Sequence, residues 1–267
     1  MNTHTFFAGV DVGSAAVKVV LLDEADQILS QAVLPTSGVL ADSFRRALDQ
    51  AVDSAGLHAQ YCRGLIATGY GRDRVEGRIR SVTEITCHAR GARFFYPEAR
   101  SVIDIGGQDS KAIALDEGGR VLRFEMNDKC AAGTGRFLEV MARLLEIELD
   151  QFGGRALAAD APVAISSTCT VFAESEVISW LAQNQPVNNI AAGLCRSIAS
   201  RVFGLASRVR MTGPTIMTGG VARNPGVVHA LGELLGEPLL LPGQPQLAGA
   251  LGAALFAKDS VLSSGGQ

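Results

Sequence analysis

The chain has 267 residues, 47% of them hydrophobic, and its 24 basic residues against 27 acidic residues leave a net charge of −3. That length suits two domains or one large α/β unit, and the balanced charge argues against nucleic acids and anionic membranes as partners. With no signal peptide and no apolar run near the roughly 18 residues that cross a bilayer, we expect a cytoplasmic protein without a membrane partner.

Alternating apolar residues predict three strands near the N-terminus, at 5–12, 17–23 and 27–34. The stretch 40–52 places its apolar residues on one helical stripe and is predicted to be a helix. A short strand at 61–67 then ends in a glycine-containing turn. A helix at 85–95 stops before Pro97, which disfavours helical backbone in the residue before it.

The three-strand pattern restarts in the second half of the chain, at 101–105, 111–116 and 120–126. Helices are predicted to dominate from 135 to 210, and a strand follows at 215–217. The last predicted helix, at 248–257, consists largely of glycine, alanine and leucine.

This repeat of strands indicates a duplicated βββαβ unit with a cleft between its halves. Because small residues permit close packing, the last helix could return to the first half of the chain. We therefore predict two domains within an α/β fold. The first is discontinuous and comprises residues 1–97 plus 246–267, and the second comprises residues 98–245.

One short motif occurs in both halves. The first copy runs from Asp11 through Gly13 to Lys18, and the second runs from Asp104 through Gly106 to Lys111. In each copy a carboxylate lies in an apolar run, a glycine-containing reversal follows, and a lysine stands near the start of the next strand. Glycines let backbone N–H groups approach phosphate, and carboxylates hold hydrated Mg²⁺ or orient water. One copy would be weak support, but two copies in step predict nucleotide binding.

Two further segments each present a cysteine before a predicted helix. They are Asn127-Asp-Lys-Cys-Ala-Ala-Gly133 and Ser166-Ser-Thr-Cys-Thr170, and we expect Cys130 and Cys169 to lie immediately before their helices. A thiolate at a helix N-terminus is stabilised by the helix dipole, which favours metal ligation or reactivity. The alternative is a pair of small buried thiols.

A structural zinc site is less attractive, because neither cysteine has a C-x-x-C partner or a histidine at ligand spacing. Two thiolates are half of the ligand set of an iron–sulfur cluster, and a two-fold symmetric dimer would supply the other half. From the residues alone, ligation and burial both remain open. Cys62 and Cys195 are expected to be buried, and the adjacent Cys87 and His88 to be structural.

The longest motifs extend over nearly the whole chain. They are Gly9-Val-Asp-Val-Gly-Ser14, Glu84-Ile-Thr-Cys-His-Ala-Arg-Gly91, Asp104-Ile-Gly-Gly-Gln-Asp-Ser-Lys111, Asn127-Asp-Lys-Cys-Ala-Ala-Gly-Thr-Gly-Arg-Phe137, Ser166-Ser-Thr-Cys-Thr-Val-Phe-Ala-Glu-Ser-Glu176, Met217-Thr-Gly-Gly-Val-Ala222 and Gly249-Ala-Leu-Gly-Ala-Ala-Leu255. In these motifs the chain resembles the ATP-dependent activators of 2-hydroxyacyl-CoA dehydratases and the related ATPase subunits of benzoyl-CoA reductase.

The resemblance implies a duplicated, ribonuclease H-like α/β fold, similar to that of actin, heat-shock chaperone ATPases and sugar kinases, with two domains flanking a nucleotide cleft. It also implies a homodimer, or a heterodimer with a paralogue as in the reductases, whose subunits share one bridging [4Fe–4S] cluster. The matching positions make Cys130 and Cys169 the cluster ligands. The implied partners are a ferredoxin or flavodoxin donor and a dehydratase or aryl-CoA reductase acceptor.

Chemistry and resemblance together assign roles around ATP, ADP and Mg²⁺. The residues expected to contact phosphate are Gly13, Ser14 and Lys18 from one side, and Gly106, Gly107 and Gln108 from the other. Asp11 and Asp104 would hold Mg²⁺ through water or orient the attacking water, a role that Gln108 could share. The charges of Asp109 and Lys111 are expected to be solvated.

A second set of residues is assigned to the rest of the nucleotide. Gly219 and Gly220 are expected to open a helix N-terminus suited to the α-phosphate and the sugar. Asn224 and Gln246 are expected to reach the nucleoside. Pro225 fits the first turn of the following helix.

The predicted function is an ATPase that delivers low-potential electrons from ferredoxin or flavodoxin to a 2-hydroxyacyl-CoA dehydratase or a benzoyl-CoA reductase. One alternative is a sugar or acetate kinase of the same fold, which shares the phosphate hairpins. The other is a non-redox, ATP-dependent interaction module.

Overall fold

The computed structural model describes residues 4–166 and 169–264 and separates the chain into two compact units. Unit 1 holds the described residues of Met1–Glu98, Gly118–Val121 and Gln246–Gln267, and unit 2 holds those of Ala99–Glu117 and Leu122–Pro245. No helix in the described parts of the chain is long and apolar enough to cross a membrane.

The described chain alternates between strands and helices. The strands are β1 (Phe6–Val12), β2 (Ala16–Leu22), β3 (Ile28–Pro35), β4 (Cys62–Thr68), β5 (Arg80–Ser81), β6 (Ser101–Ile105), β7 (Ser110–Leu115), β8 (Val121–Asn127) and β9 (Thr215–Thr218). The helices are α1 (Leu40–Ser54), α2 (Glu84–Phe95), α3 (Gly135–Leu144), α4 (Phe152–Leu157), α5 (Thr170–Ala182), α6 (Val187–Val209), α7 (Pro225–Leu235) and α8 (Ala248–Ser264).

Unit 1 contains a five-stranded sheet in the order β3-β2-β1-β4-β5. The first three strands form an antiparallel meander, and β4 pairs parallel with β1. Alternate side chains of β1 point to opposite faces, so Phe6, Ala8 and Val10 pack with α1 while Phe7 packs with α2 and α8. Helices therefore cover both faces of β1, which explains why all of its residues are buried.

Unit 2 repeats the arrangement with a four-stranded sheet in the order β8-β7-β6-β9. Here β6 pairs antiparallel with β7 and parallel with β9, as β1 pairs with β2 and β4. The helices between β8 and β9 form a large apolar core in which α6 contacts α4, α7 and β7. The predicted strands of both copies, and the α/β class, are confirmed.

Helix α8 packs against β1, β4 and α2 of unit 1 at backbone distance. A Cβ atom on Gly252 would lie 1.9 Å from the carbonyl oxygen of Cys87, and one on Gly9 would lie 2.0 Å from the carbonyl oxygen of Ala250. The helix runs to Ser264, beyond the predicted end at residue 257. Its small residues permit this close contact, because larger ones would hold the helix away from the sheet.

We expect Gly252→Ala to lower the free energy of unfolding by about 1–3 kcal/mol, because the new methyl group overpacks the contact with α2. The loss must exceed the gain of about 1 kcal/mol that alanine brings within a helix. Gly38→Ala is the control, since a Cβ there would have no atom within 4 Å. Urea unfolding measures both, and an unchanged midpoint for Gly252→Ala would contradict the contact.

Candidate functional site

The turn between β1 and β2 brings the first copy of the motif together. The backbone N–H of Gly13 donates to the carbonyl oxygen of Ala16 at 3.1 Å, which closes the turn around Ser14. Asp11 pairs with Lys18 across the two strands, and Lys18 Nζ lies 3.0 Å from Asp11 Oδ2. The carboxylate is buried, whereas 18% of the Lys18 side chain is exposed.

Residues distant in sequence enclose the Asp11 carboxylate. Gly69 follows β4 with a φ of +85°, and a Cβ there would lie 2.3 Å from Asp11 Oδ1. On the other side, a Cβ on Gly249 would lie 3.2 Å from Asp11 Oδ2 and 2.9 Å from Nε2 of the buried His88. A Cβ at Gly69 would collide with the carboxylate, and one at Gly249 would press on both the carboxylate and His88. Sequence reasoning assigned no role here to Gly69 or Gly249.

The turn between β6 and β7 repeats this geometry in unit 2. The N–H of Gly106 donates to the carbonyl oxygen of Asp109 at 2.9 Å, with Gly107 half-buried and Gln108 exposed in the turn. Asp104 pairs with Lys111 across the strands, and Lys111 Nζ lies 3.1 Å from Asp104 Oδ2.

The second copy carries two contacts that the sequence did not predict. Lys111 Nζ also lies 2.9 Å from Asp109 Oδ1, and the hydroxyl of Thr218 donates to Asp104 Oδ1 at 2.9 Å. The expectation that Lys111 is solvated is therefore wrong, because only 2% of its side chain is exposed. Two carboxylates pull this ammonium into the sheet and compensate for the water it loses.

The segment after β9 differs in part from the prediction. Gly219, with a φ of +86°, and Gly220 open a short 3-10 turn rather than an α-helix. Helix α7 begins at Pro225, as expected, and Asn224 caps it by accepting the N–H of Val227 at 3.1 Å. The Asn224 amide oxygen is thus committed to the helix.

Gln246 lies in another 3-10 turn, Pro245–Leu247, which immediately precedes α8. It belongs to unit 1, whereas Asn224 belongs to unit 2. Its side chain is half-buried.

Cys130 does not lie immediately before a helix, contrary to the prediction. A loop separates it from α3, which begins at Gly135 with Thr134 as its N-cap residue. The side-chain amide of Asn127 donates to the carbonyl oxygens of Cys130 and Ala132 and thereby folds this loop. The φ of +90° at Gly133 excludes helical backbone within it.

Cys169 does precede its helix. It is the N-cap residue of α5, its thiol is exposed, and its carbonyl oxygen accepts the N–H of Ala173 at 2.9 Å. The Glu176 carboxylate accepts both the N–H and the hydroxyl of Ser166, which ties the preceding segment to α5. Residues 167 and 168 of this motif lie outside the described part of the chain.

The two cysteine segments belong to one unit, and α3 contacts α5. Helix α3 is also hydrogen-bonded to the turn between β6 and β7 of unit 2. The N–H groups of Gly135 and Arg136 donate to the carbonyl oxygens of Gly106 and Gly107, both at 2.8 Å. The segment that carries Cys130 is therefore joined by backbone hydrogen bonds to the turn that follows Asp104.

The other cysteines have a different environment. Burial raises the pKa of the Cys87 and Cys195 thiols to about 12, and burial also raises the pKa of the half-buried Cys62. Burial therefore disfavours the thiolate form that ligation of a metal requires. Cys130 and Cys169 are the more accessible donor set in unit 2.

The duplicated sheets and paired Asp–Lys hairpins are those of the actin and sugar-kinase fold class. A model of the BadF/BadG/BcrA/BcrD ATPase family matches residues 8–257, and the chain belongs to this family.

Two curated relatives cover nearly the whole chain. The activator of lactoyl-CoA dehydratase from Anaerotignum propionicum is 48% identical over 252 residues, which are 94% of this chain and 97% of the relative. A benzoyl-CoA reductase subunit from Thauera aromatica is 36% identical over 263 residues, which are 94% of this chain and 93% of the relative.

Solved structures agree with the fold. The activator of the 2-hydroxyisocaproyl-CoA dehydratase from Clostridium difficile, with bound ADPNP, superimposes with a TM-score of 0.94 at 43% identity, covering 98% of this chain and 97% of the activator. A ROK-family glucokinase from Streptomyces griseus has a TM-score of 0.58 at 18% identity, covering 95% of this chain and 99% of the kinase. The glucokinase shares the fold alone.

Proposed function

We propose that this protein is an ATPase that couples hydrolysis to the delivery of low-potential electrons from ferredoxin or flavodoxin to a 2-hydroxyacyl-CoA dehydratase. The observation that carries the proposal is the pair of hydrogen bonds from Gly135 and Arg136 to the turn at Gly106 and Gly107. Through these bonds, one structural element connects a phosphate-type hairpin with a cysteine segment. A kinase or a non-redox interaction module would not require a cysteine segment at the end of that connection.

In this proposal each unit contributes its hairpin to ATP binding. Gly13, Ser14 and Lys18 contact phosphate from unit 1, and Gly106, Gly107 and Gln108 do so from unit 2. The turns present backbone N–H groups, and Lys18 adds a partly exposed ammonium. The solved relative with bound ADPNP supports the proposal that this chain binds a nucleotide.

Asp11 and Asp104 hold Mg²⁺ through water or orient the attacking water, with Gln108 as a second candidate for the water. Each carboxylate oxygen has two lone pairs, so the contacts to Lys18, Lys111 and Thr218 leave acceptor capacity. Gly219 and Gly220 contribute backbone to the α-phosphate and the sugar. Asn224 contacts the nucleoside through its amide nitrogen, which has no hydrogen-bond partner among the described residues, and Gln246 contacts it from unit 1.

Cys130 and Cys169 fit a thiolate-held iron–sulfur cluster. Both cysteines belong to unit 2, one half-buried and one exposed, and the helices that follow them contact each other. Two thiolates per chain are half of the four that a [4Fe–4S] cluster takes, so we propose a dimer, a homodimer or a pair with a paralogue, that shares one cluster. Such a cluster would carry one electron at a time.

Occupation of the hairpin by nucleotide repositions the turn at Gly106 and Gly107. The two hydrogen bonds pass that change to the N-terminus of α3 and hence to the loop of Cys130. The bound nucleotide thereby alters the environment of the thiolates: a local change at the turn has its effect at the cysteine segment.

The protein that accepts the electrons is proposed from sequence identity. The activator of lactoyl-CoA dehydratase shares 48% of its residues with this chain, against 36% for the benzoyl-CoA reductase subunit. A 2-hydroxyacyl-CoA dehydratase is therefore the first candidate and an aryl-CoA reductase the second.

Anaerobic purification followed by iron and acid-labile sulfide analysis tests the proposal. We expect about four of each per dimer, and ATP-dependent reduction of a dehydratase component by reduced ferredoxin. Preferential reduction of an aryl-CoA reductase component would select the second candidate. Iron-free protein that transfers phosphate to a sugar or to acetate would favour a kinase, and iron-free protein whose ATPase supports full partner turnover would favour the non-redox module.

A further inference from the structure

The two hairpins have equivalent registers, but their lysines differ in environment. Gly13 and Gly106 occupy matching turn positions, and Lys18 and Lys111 pair with Asp11 and Asp104 in the same register. We propose that Lys111 is a positioning residue for Asp104 that does not contact nucleotide, whereas its counterpart Lys18 contacts phosphate. This inference rests on the proposed function and assigns separate tasks within the same site.

The two lysines differ first in the solvent exposure of their side chains. The Lys18 side chain is 18% exposed and bonds one carboxylate in the described structure, so its ammonium retains N–H donors for an anionic ligand. The Lys111 side chain is 2% exposed, and its ammonium is held by Asp104 and Asp109 together. An incoming phosphate would have to displace a buried carboxylate to reach it.

The turn sequence explains the difference in partners. Where unit 1 has Ala16 as the acceptor that closes the turn, unit 2 has Asp109. Its side chain supplies the second carboxylate, 2.9 Å from Lys111 Nζ. Lys111 therefore links the strand that carries Asp104 with the turn that carries the phosphate-binding glycines.

Charge and orientation indicate what this link achieves. Asp104 is buried, so its ionised form needs a partner, and Lys111 provides one at 3.1 Å. Thr218 holds the other oxygen, and the carboxylate is thereby fixed from both sides. Asp104, Asp109 and Lys111 together carry one net negative charge, whereas Asp11 and Lys18 together carry none.

Because Lys111 orients Asp104 and does not contact ATP in this proposal, its loss should affect the rate of hydrolysis more than the affinity for ATP.

The test compares Lys111→Met combined with Asp109→Asn against Lys18→Met. The double change keeps the net charge of the Asp104 cluster at its original value, and Asp104 retains the hydrogen bond from Thr218. The folding cost is thereby confined to one buried carboxylate that has lost its ammonium partner. Each variant is assayed for thermal unfolding, for ADP binding by calorimetry, and for kcat and KM of ATP hydrolysis.

We expect the double variant to fold, to bind ADP as the wild type does, and to lose about 100-fold in kcat, because a displaced carboxylate costs rate rather than affinity. Lys18→Met should instead raise KM by about 10-fold or more through the loss of a charge-assisted hydrogen bond. Asp109→Asn alone, which leaves Lys111 on Asp104, should lose less kcat than the double variant.

A double variant with wild-type kcat, or one that raises KM as Lys18→Met does, would overturn the role of Lys111 while leaving the proposed function intact. A wild-type protein that hydrolyses no ATP would overturn both. If the double variant unfolds, the kcat of Asp109→Asn decides. A loss well below 100-fold would support the role of Lys111, which still holds Asp104 in that variant, whereas a loss as large as 100-fold would assign the effect to Asp109 and not to Lys111.

Discussion

Cys130→Ser and Cys169→Ser are each expected to abolish electron delivery to the acceptor and to remove the iron–sulfur absorbance of the dimer. Each change removes two of the four thiolates that a shared cluster needs, because both subunits carry it. ADP affinity should remain, since neither side chain belongs to the hairpins at Asp11 and Asp104. Anaerobic iron analysis, visible spectra and an ATP-dependent reduction assay measure the three quantities.

Cys62→Ser is the matched control, because Cys62 lies in unit 1 and its raised pKa keeps it a protonated thiol. It should retain full iron content and full electron delivery. A Cys169→Ser dimer that keeps its iron and still reduces the acceptor would contradict the assignment of the ligands.

Asp11→Asn and Asp104→Asn are each expected to lower kcat for ATP hydrolysis by about 10²- to 10⁴-fold, the range for loss of a group that orients the attacking water or its metal. The amide keeps the size of the side chain but loses the charge that pairs with Lys18 or Lys111. Steady-state hydrolysis as a function of Mg²⁺ concentration separates a metal role from a water role.

Asp160→Asn is the control for these two changes, because Asp160 is exposed in unit 2. Its kcat should match that of the wild type. If either Asp11→Asn or Asp104→Asn hydrolysed ATP at the wild-type rate, that carboxylate would have no part in the reaction.

The strands of both hairpins were predictable because the alternation of apolar residues along a strand depends only on neighbouring residues, and the pattern occurs twice. Helix α8 was predictable as a helix, but its end was placed too early, at residue 257. The helix continues to Ser264 because the residues from Lys258 to Ser264 include no strong stop signal. The start of α3 was predicted too early. The side chain of Asn127 and the positive φ of Gly133 fold the loop after Cys130, and neither effect is visible in helical periodicity.

The candidate site divides in the same way. Asp11, Lys18, Asp104 and Lys111 were recognisable because each pair lies on adjacent strands of one hairpin, where the spacing along the chain sets the contact. Gly69 was not, because a parallel strand brings it to Asp11 from a distant part of the chain.

The sequence by itself determined the duplicated hairpins, the glycines of their turns and the two cysteine segments, because all of these depend on residues close together in the chain. Only the tertiary structure decided that Lys111 is buried while Lys18 stays accessible. The same local pattern leads to both outcomes. The difference comes from Asp109 folding back over the turn and from Thr218, which a parallel strand delivers to Asp104 from far along the chain.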